Sequence, residues 1–144
     1  MTLSEKGMRR LEALEILATS PKPVLVMELP FRVESRANDH RSNHWGDRAK
    51  TSGKQRVGTH LALSGHRRGL VKLMSRAGLV VRVVRVGPKE LDSHDNLGMA
   101  LKAITDGVAD ALGVPDHDAR VMFVADGEVG PWGARIEFYE RGAP

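Results

Sequence analysis

The chain has 144 residues, of which 41% are hydrophobic and 28% charged, and it carries a net charge of +4. This composition is typical of one globular domain and excludes a disordered chain, and no apolar run approaches the roughly 18 residues of a membrane span. Cysteine is absent, which excludes disulfides, thiolate zinc sites and cysteine nucleophiles. The N-terminus also lacks a secretory-signal pattern, so we expect a cytoplasmic protein.

The first third of the chain predicts a helix, a strand and a loop. Thr2 and Glu5 have the spacing of a capping box, and Leu and Met recur at helical intervals up to about Ala18. The apolar run 24–29 ends at a proline and predicts a strand. Residues 31–46 are polar, basic and rich in turn formers, which predicts a loop.

The rest of the chain predicts alternating helices and strands. The clearest strand is 79–86, which is rich in β-branched residues, and the clearest helix is 96–112, which ends at a glycine. The other predicted elements are a basic helix over 47–63, a short helix over 70–77 and two strands over 121–124 and 134–139 that a turn could join as a hairpin. This order predicts a single α/β domain of the α+β kind, with helices flanking a small mixed β-sheet.

Charge is unevenly distributed along the chain. From Arg32 to Arg68 there are nine basic residues and three acids, a net of +6, whereas from Glu90 to Glu128 there are nine acids and two bases, a net of −7. A basic segment can hold phosphates, and an acidic pocket can hold the cations that neutralise charge during phosphodiester cleavage. Two solvated faces of opposite charge would give the same pattern.

The predicted helix after Asp92 arranges its charges on one side. Counting Asp95 as 0°, Lys102 lies at about 340° and Asp106 at about 20°, whereas Leu97, Leu101, Ile104, Val108 and Leu112 lie between about 180° and 260°. The helix should therefore bury its apolar side and present Asp95, Lys102 and Asp106 as a stripe, which Met99 interrupts. Carboxylates brought together in this way, with Asp116 and Asp118 after the helix, are the ligands that Mg²⁺ prefers.

Each of these acids also has an ordinary structural explanation. Asp92 and Asp95 could cap the start of the helix and interact with its dipole. Lys102 and Asp106 could form a simple i,i+4 ion pair, and Asp116 and Asp118 follow a proline in a predicted turn, where Asp is common. The spacing alone leaves these explanations and a metal site open.

At these residues the sequence resembles the RusA family of Holliday-junction resolvases, particularly the versions carried by phages and prophages. Asp95-Asn96-Leu97 is similar to the family's Asp-Asn-Leu motif, and Lys102 and Asp106 match its lysine and the aspartate four residues later. Asp116 and Asp118 match its late acidic pair. The similarity covers roughly residues 24–140, so residues 1–20 are expected to be an N-terminal helical extension and 21–144 the RusA-like endonuclease domain.

Two spacings differ from the family pattern. Asp92 and Asp95 are one residue farther apart than the usual first two acids, which leaves open whether Asp92 is a ligand and whether the site is active. Lys102 lies three residues farther from the Asp-Asn-Leu motif than the family's lysine does. Three residues rotate a helix by about 300°, which is within about 60° of a full turn, so Lys102 stays on the acidic side of the helix.

The resemblance implies a magnesium-dependent enzyme, with Mn²⁺ as a substitute, that acts as a homodimer and cleaves four-way DNA junctions during recombination or repair. It implies metal ligands at Asp92, Asp95 and one or both of Asp116 and Asp118. Lys102 would be the catalytic, charge-stabilising lysine, with Asp106 as its orienting partner and Asn96 close to the ligands.

The basic segment supplies the expected DNA contacts, which are Arg32, Arg36, Arg41, Trp45, Arg48, Lys50, Lys54 and Arg56. No phosphate-cradling glycine loop or dinucleotide motif occurs, so we expect no nucleotide cofactor. The six histidines lack the spacing of a transition-metal site, although His94 and His117 lie within the acidic segment. Two alternatives remain open: a non-catalytic DNA-binding protein of the same fold, and a metal-dependent phosphohydrolase of a small substrate.

Overall fold

The computed structural model describes residues 4–19, 21–34, 45–91 and 94–142, with only the backbone described at 45–48 and 94–96. The helices are α1 (Glu5–Ala18), α2 (Trp45–Leu63), α3 (Arg67–Arg76), α4 (His94–Ala100) and α5 (Lys102–Leu112), with a 3-10 turn at Ser64–His66. The strands are β1 (Leu25–Leu29), β2 (Leu79–Gly87), β3 (Val121–Val129) and β4 (Gly133–Glu140). The predicted α+β class, a small mixed sheet flanked by helices, is confirmed.

The four strands form one sheet in the order β1-β4-β2-β3. β2 pairs with β3 in parallel and with β4 in antiparallel, so Val83 lies opposite both Ala125 and Ile136. The suggested hairpin of the last two strands is therefore wrong, because β2 separates them. The residues of β2 are buried on both faces, which is the environment of a central strand.

Strand direction brings three connections to one edge of the sheet. β1 and β2 are both antiparallel to β4, and β3 is parallel to β2, so β1, β2 and β3 all end at the same edge. The basic segment follows β1 and the segment that contains Glu90 and Leu91 follows β2. The turn between β3 and β4 lies at this edge as well.

The larger core lies between one face of the sheet and α2 to α5. Ile104 and Val108 of α5 are fully buried there against Val81, Ile136 and other strand residues. α2 approaches α5 closely at Gly107, where an added Cβ would lie 2.6 Å from the backbone oxygen of Arg56. The small residue thus fixes the distance between the two helices that carry most of the candidate site.

α1 packs on the opposite face of the sheet. Ala13 is buried with Val80, Met122, Val124 and Tyr139 in a second, smaller cluster. The helix is capped by the Ser4 side chain, which accepts a hydrogen bond from the Gly7 amide, rather than at Thr2, which lies outside the described residues. The regularly spaced apolar residues predicted the helix correctly, but Met8, Leu11 and Leu14 are largely exposed.

Other predicted boundaries shift modestly. α2 continues through Gly53 and Gly58, and α3 is longer than the predicted 70–77 helix. The predicted helix over 96–112 is divided at Leu101, although backbone hydrogen bonds from Leu101 to Leu97 and from Thr105 to Leu101 carry the helical path across the division. It ends at Gly113, whose positive φ of 72° suits a residue without a Cβ.

Candidate functional site

The charged face of α5 is exposed where helical spacing predicts it. Ile104 and Val108 are buried, whereas the side chains of Lys102 and Asp106 are 64% and 19% exposed. Leu97 and Leu101 are buried too, so the α4–α5 pair has one apolar and one charged side. Met99 is exposed on the charged side, as the helical spacing predicts.

Lys102 brings together two of the predicted acids. Its Nζ lies 3.4 Å from Asp106 Oδ1 on the next helical turn and 3.7 Å from Asp116 Oδ2 on the connection to β3. Asp116 is half exposed, and His117 Nδ1 lies 3.5 Å from its other oxygen. Lys102 thus has a carboxylate neighbour from each of two separate segments on a solvent-accessible surface.

Asp118 has a different environment from Asp116. Its carboxylate accepts hydrogen bonds from the Arg120 backbone amide, Nε and Nη2, all at 2.9 to 3.0 Å. These bonds lower the pKa of Asp118 to about 2. The late acidic pair is therefore split, with Asp116 beside Lys102 and Asp118 held in its own turn by Arg120.

Arg56 of α2 forms the other side of this surface. Its guanidinium donates two hydrogen bonds to Asp110, at 2.7 and 2.9 Å, and its Nη1 lies 3.8 Å from Asp106 Oδ2. The bond from Arg56 lowers the pKa of Asp110. A groove of about 510 Å³ lies between the helices and is lined by Ser52, Gly53, Arg56, Met99, Lys102, Ala103 and Asp106.

The distances along the helix limit which acids can share a cation. Asp95 precedes Lys102 by seven residues, or roughly 10 Å along the helix axis. It precedes Asp106 by eleven residues, or roughly 16 Å. Asp106 is therefore too far along the helix from Asp95 to bind the same ion, since carboxylate oxygens lie within about 2.6 Å of a bound cation. This spacing suits Asp106 as a partner of Lys102.

Several predicted residues cannot be placed in this geometry. Asp92, Arg36 and Arg41 lie outside the described residues, and so do the side chains of Asp95, Asn96, Trp45 and Arg48. Of the remaining expected DNA contacts, Lys50 and Lys54 are exposed on α2, one helical turn apart, and Arg56 is bound to Asp110. Arg32 lies at the sheet edge, with its Nε 3.1 Å from Glu34 Oε1.

A second group of residues at the sheet edge was not predicted. Trp132, in the turn between β3 and β4, has the guanidinium carbons of Arg32 and Arg85 over its ring, at 4.5 and 5.1 Å from the ring centre. The signal in the sequence was a single tryptophan within the turn Gly130-Pro131-Trp132-Gly133. It gave no indication that arginines from two other segments would join it.

Within the described ranges, no three His, Asp or Glu side chains are grouped closely enough to hold a metal ion. No helix among these residues is long and apolar enough to cross a membrane. No protein-family model matches the chain, and the search of curated proteins gave no match either.

Proposed function

We propose that this protein is a magnesium-dependent DNA endonuclease that cleaves four-way junctions, as the resemblance to the RusA family implies. One observation carries the proposal: Lys102 lies between Asp106 and Asp116 on the exposed side of a helical pair whose first turn contains Asp95. The sequence motif named these residues. Helical spacing accounts for Lys102 and Asp106, but it does not account for Asp116, which lies on the connection after α5.

The donors available to a cation fit Mg²⁺, because they are carboxylates and the motif contains no thiolate. Asp116 is half exposed, and among the described side chains its neighbours are Lys102 and His117, so it remains accessible to a further ligand. Asp92 and Asp95 would hold the ion, with Asp116 in preference to Asp118. Bound Mg²⁺ supplies an activated water and stabilises the charge that develops on the phosphate.

Lys102 has a separate role in this proposal. Its ammonium group is mostly exposed and its ion pairs are 3.4 and 3.7 Å long, so solvent weakens them and the side chain can reach a phosphate. A positive charge there would stabilise the transition state or assist the leaving oxygen. Asp106, which is 19% exposed and lies one turn later on the same helix, would keep the lysine oriented.

DNA would approach over α2 and the sheet edge. Lys50 and Lys54 lie one turn apart and exposed, which is a suitable arrangement for consecutive phosphate contacts. Arg56 is a weaker candidate, because Asp110 already accepts two hydrogen bonds from it. A homodimer, as in the RusA family, would nick two junction strands symmetrically in the cytoplasm, near the nucleoid.

Replacing Lys102 with Met tests the proposal, since Met keeps an unbranched side chain without the charge. We expect the single-turnover cleavage of a four-way junction to fall by roughly 10² to 10³, with junction binding nearly unchanged. The matched control is Lys72→Met at an exposed position of α3, which should cleave at the wild-type rate. Equal rates for the two variants would refute the role of Lys102.

The two alternatives predict different results. A non-catalytic DNA-binding protein would bind a junction equally with and without Mg²⁺ and would never nick it. A phosphohydrolase of a small substrate would not need the basic segment, so reversing the charges of Arg48, Lys50 and Lys54 would leave its activity intact. In a nuclease the same reversals should weaken DNA binding and flatten its salt dependence.

A further inference from the structure

We propose that Trp132 is a stacking site for an unpaired base of single-stranded DNA, with Arg32 as a gate that moves from the indole to the DNA phosphate. This inference rests on the proposed function only because it takes DNA as the ligand. The turn that carries Trp132 lies at the edge where β1, β2 and β3 end. β1 and β2, which precede the basic segment and Asp92 in the chain, end at this same edge.

Arg85 gives the indole a fixed position. It is 4% exposed, and it donates hydrogen bonds to the backbone oxygens of Val33, at 2.9 Å, and Lys89. Burial lowers its pKa, and the charge of Glu34 opposes this only in part. Its guanidinium also packs on Gly87, where a Cβ would lie 2.8 Å from Cζ. A buried cation held in this way contributes more to its ring partner than an exposed one.

Arg32 is held far less firmly. Its side chain is 63% exposed, and among the described residues its ionic partner is Glu34, which is 56% exposed. An ion pair between two such exposed side chains contributes little and is screened by salt. A base can therefore replace the Arg32 guanidinium over the indole, and the arginine can then bind the adjacent phosphate.

The difference in exposure between the two arginines favours a binding site over a tryptophan with a purely structural role. A tryptophan that merely covers the sheet edge needs only the buried Arg85. The exposed Arg32 guanidinium also covers the indole of Trp132, and a ligand can displace it. Base–aromatic stacking tolerates any sequence because every base has a π-face, which suits the unpaired nucleotides at a branch point.

The test uses the full-length chain with Trp45→Phe, which leaves Trp132 as the only tryptophan, since the chain contains two. Fluorescently labelled (dT)₁₂ is titrated in EDTA, with binding followed by anisotropy and the indole followed by its own emission in a parallel titration of unlabelled (dT)₁₂. We expect saturable quenching of Trp132 with the same midpoint as binding. Trp132→Ala should weaken (dT)₁₂ binding by roughly 10-fold, Trp132→Phe by less, and Arg32→Ala by more than Arg10→Ala on exposed α1.

Quenching needs no change at position 132, so a folding defect in Trp132→Ala cannot obscure the result. The stacking site is wrong if (dT)₁₂ binds Trp45→Phe while Trp132 emission stays unchanged, or if (dT)₁₂ does not bind the wild-type chain. It is also wrong if Trp132→Ala, made in the wild-type chain, binds (dT)₁₂ as tightly as the wild type does. Junction cleavage by the unmodified protein is measured separately. Cleavage without quenching would support the nuclease function and refute the stacking site. Quenching without cleavage would support the stacking site and refute the nuclease function.

Discussion

Gly107→Ala should destabilise the protein, although the same exchange usually stabilises a helix. Ala is favoured over Gly within a helix by about 1 kcal/mol. At Gly107 the added Cβ would lie 2.6 Å from the Arg56 backbone oxygen and 2.7 Å from Thr59 Cβ. Since such carbon–oxygen contacts are normally about 3.3 Å or longer, α2 must move away from α5 by roughly 0.7 Å.

Overpacking of this kind costs about 1 to 3 kcal/mol, and here backbone, rather than a flexible side chain, lies in the way. Subtracting the helix-propensity gain of about 1 kcal/mol leaves a net loss of up to about 2 kcal/mol of unfolding free energy. Urea titration followed by circular dichroism at 222 nm measures it. The groove should widen as well, because Arg56 and Asp106 lie on the two helices.

Gly53→Ala is the matched control. Gly53 lies in the middle of α2, and no atom comes within 4 Å of the position that an added Cβ would take. We expect this variant to gain about 0.5 to 1 kcal/mol. If Gly107→Ala is as stable as Gly53→Ala, the close approach of α2 and α5 is wrong, and with it the geometry of the groove.

Asp118→Asn should lower the free energy of unfolding at pH 7, because Arg120 lowers the folded pKa of Asp118 to about 2. The full shift corresponds to about 2.6 kcal/mol, and solvent screening of the exposed Arg120 reduces the expected loss to about 1 to 2 kcal/mol. This contribution is complete above the unfolded pKa near 3.9 and is lost as pH falls through about 2, so thermal melts of variant and wild type should converge there. Glu137→Gln should lower the pKa of Tyr139, which burial and the hydrogen bond to Glu137 raise to about 12, and ultraviolet titration reports this directly because the chain has one tyrosine. A tyrosine titration unchanged by the substitution would contradict that hydrogen bond. Asp116→Asn should abolish junction cleavage at neutral pH while Asp118→Asn retains it, and the reverse outcome would exchange their roles.

The sequence predicted best those elements whose burial is periodic. The β-branched run of β2 and the apolar side of α5 repeat at the intervals of a strand and a helix, so local spacing indicates which side is buried. The position of β3 could not be predicted in this way, because strand pairing depends on which strand occupies the centre of the sheet. α1 packs through Ala13, with Ile16 and Leu17 partly buried beside it, rather than through the regularly spaced Leu11 and Leu14. Arg9 adds hydrogen bonds to backbone oxygens, including that of Val121.

The candidate site was partly predictable for the same reason. Helical spacing placed Lys102 and Asp106 together, because four residues make about one turn. The choice between Asp116 and Asp118 depended on the path of the chain after Gly113, which spacing does not determine. Trp132 acquires its environment from Arg32 and Arg85, 100 and 47 positions away in the chain, and a lone aromatic in a turn does not indicate such partners.

Incubation of an end-labelled four-way junction with the wild-type protein and with Asp95→Asn, as Mg²⁺ is raised from zero, tests most directly whether this protein is a metal-dependent nuclease. We expect paired nicks by the wild type only when Mg²⁺ or Mn²⁺ is present, and binding without nicking by Asp95→Asn. Identical behaviour of the two proteins, or an intact junction at every metal concentration, would contradict the nuclease function.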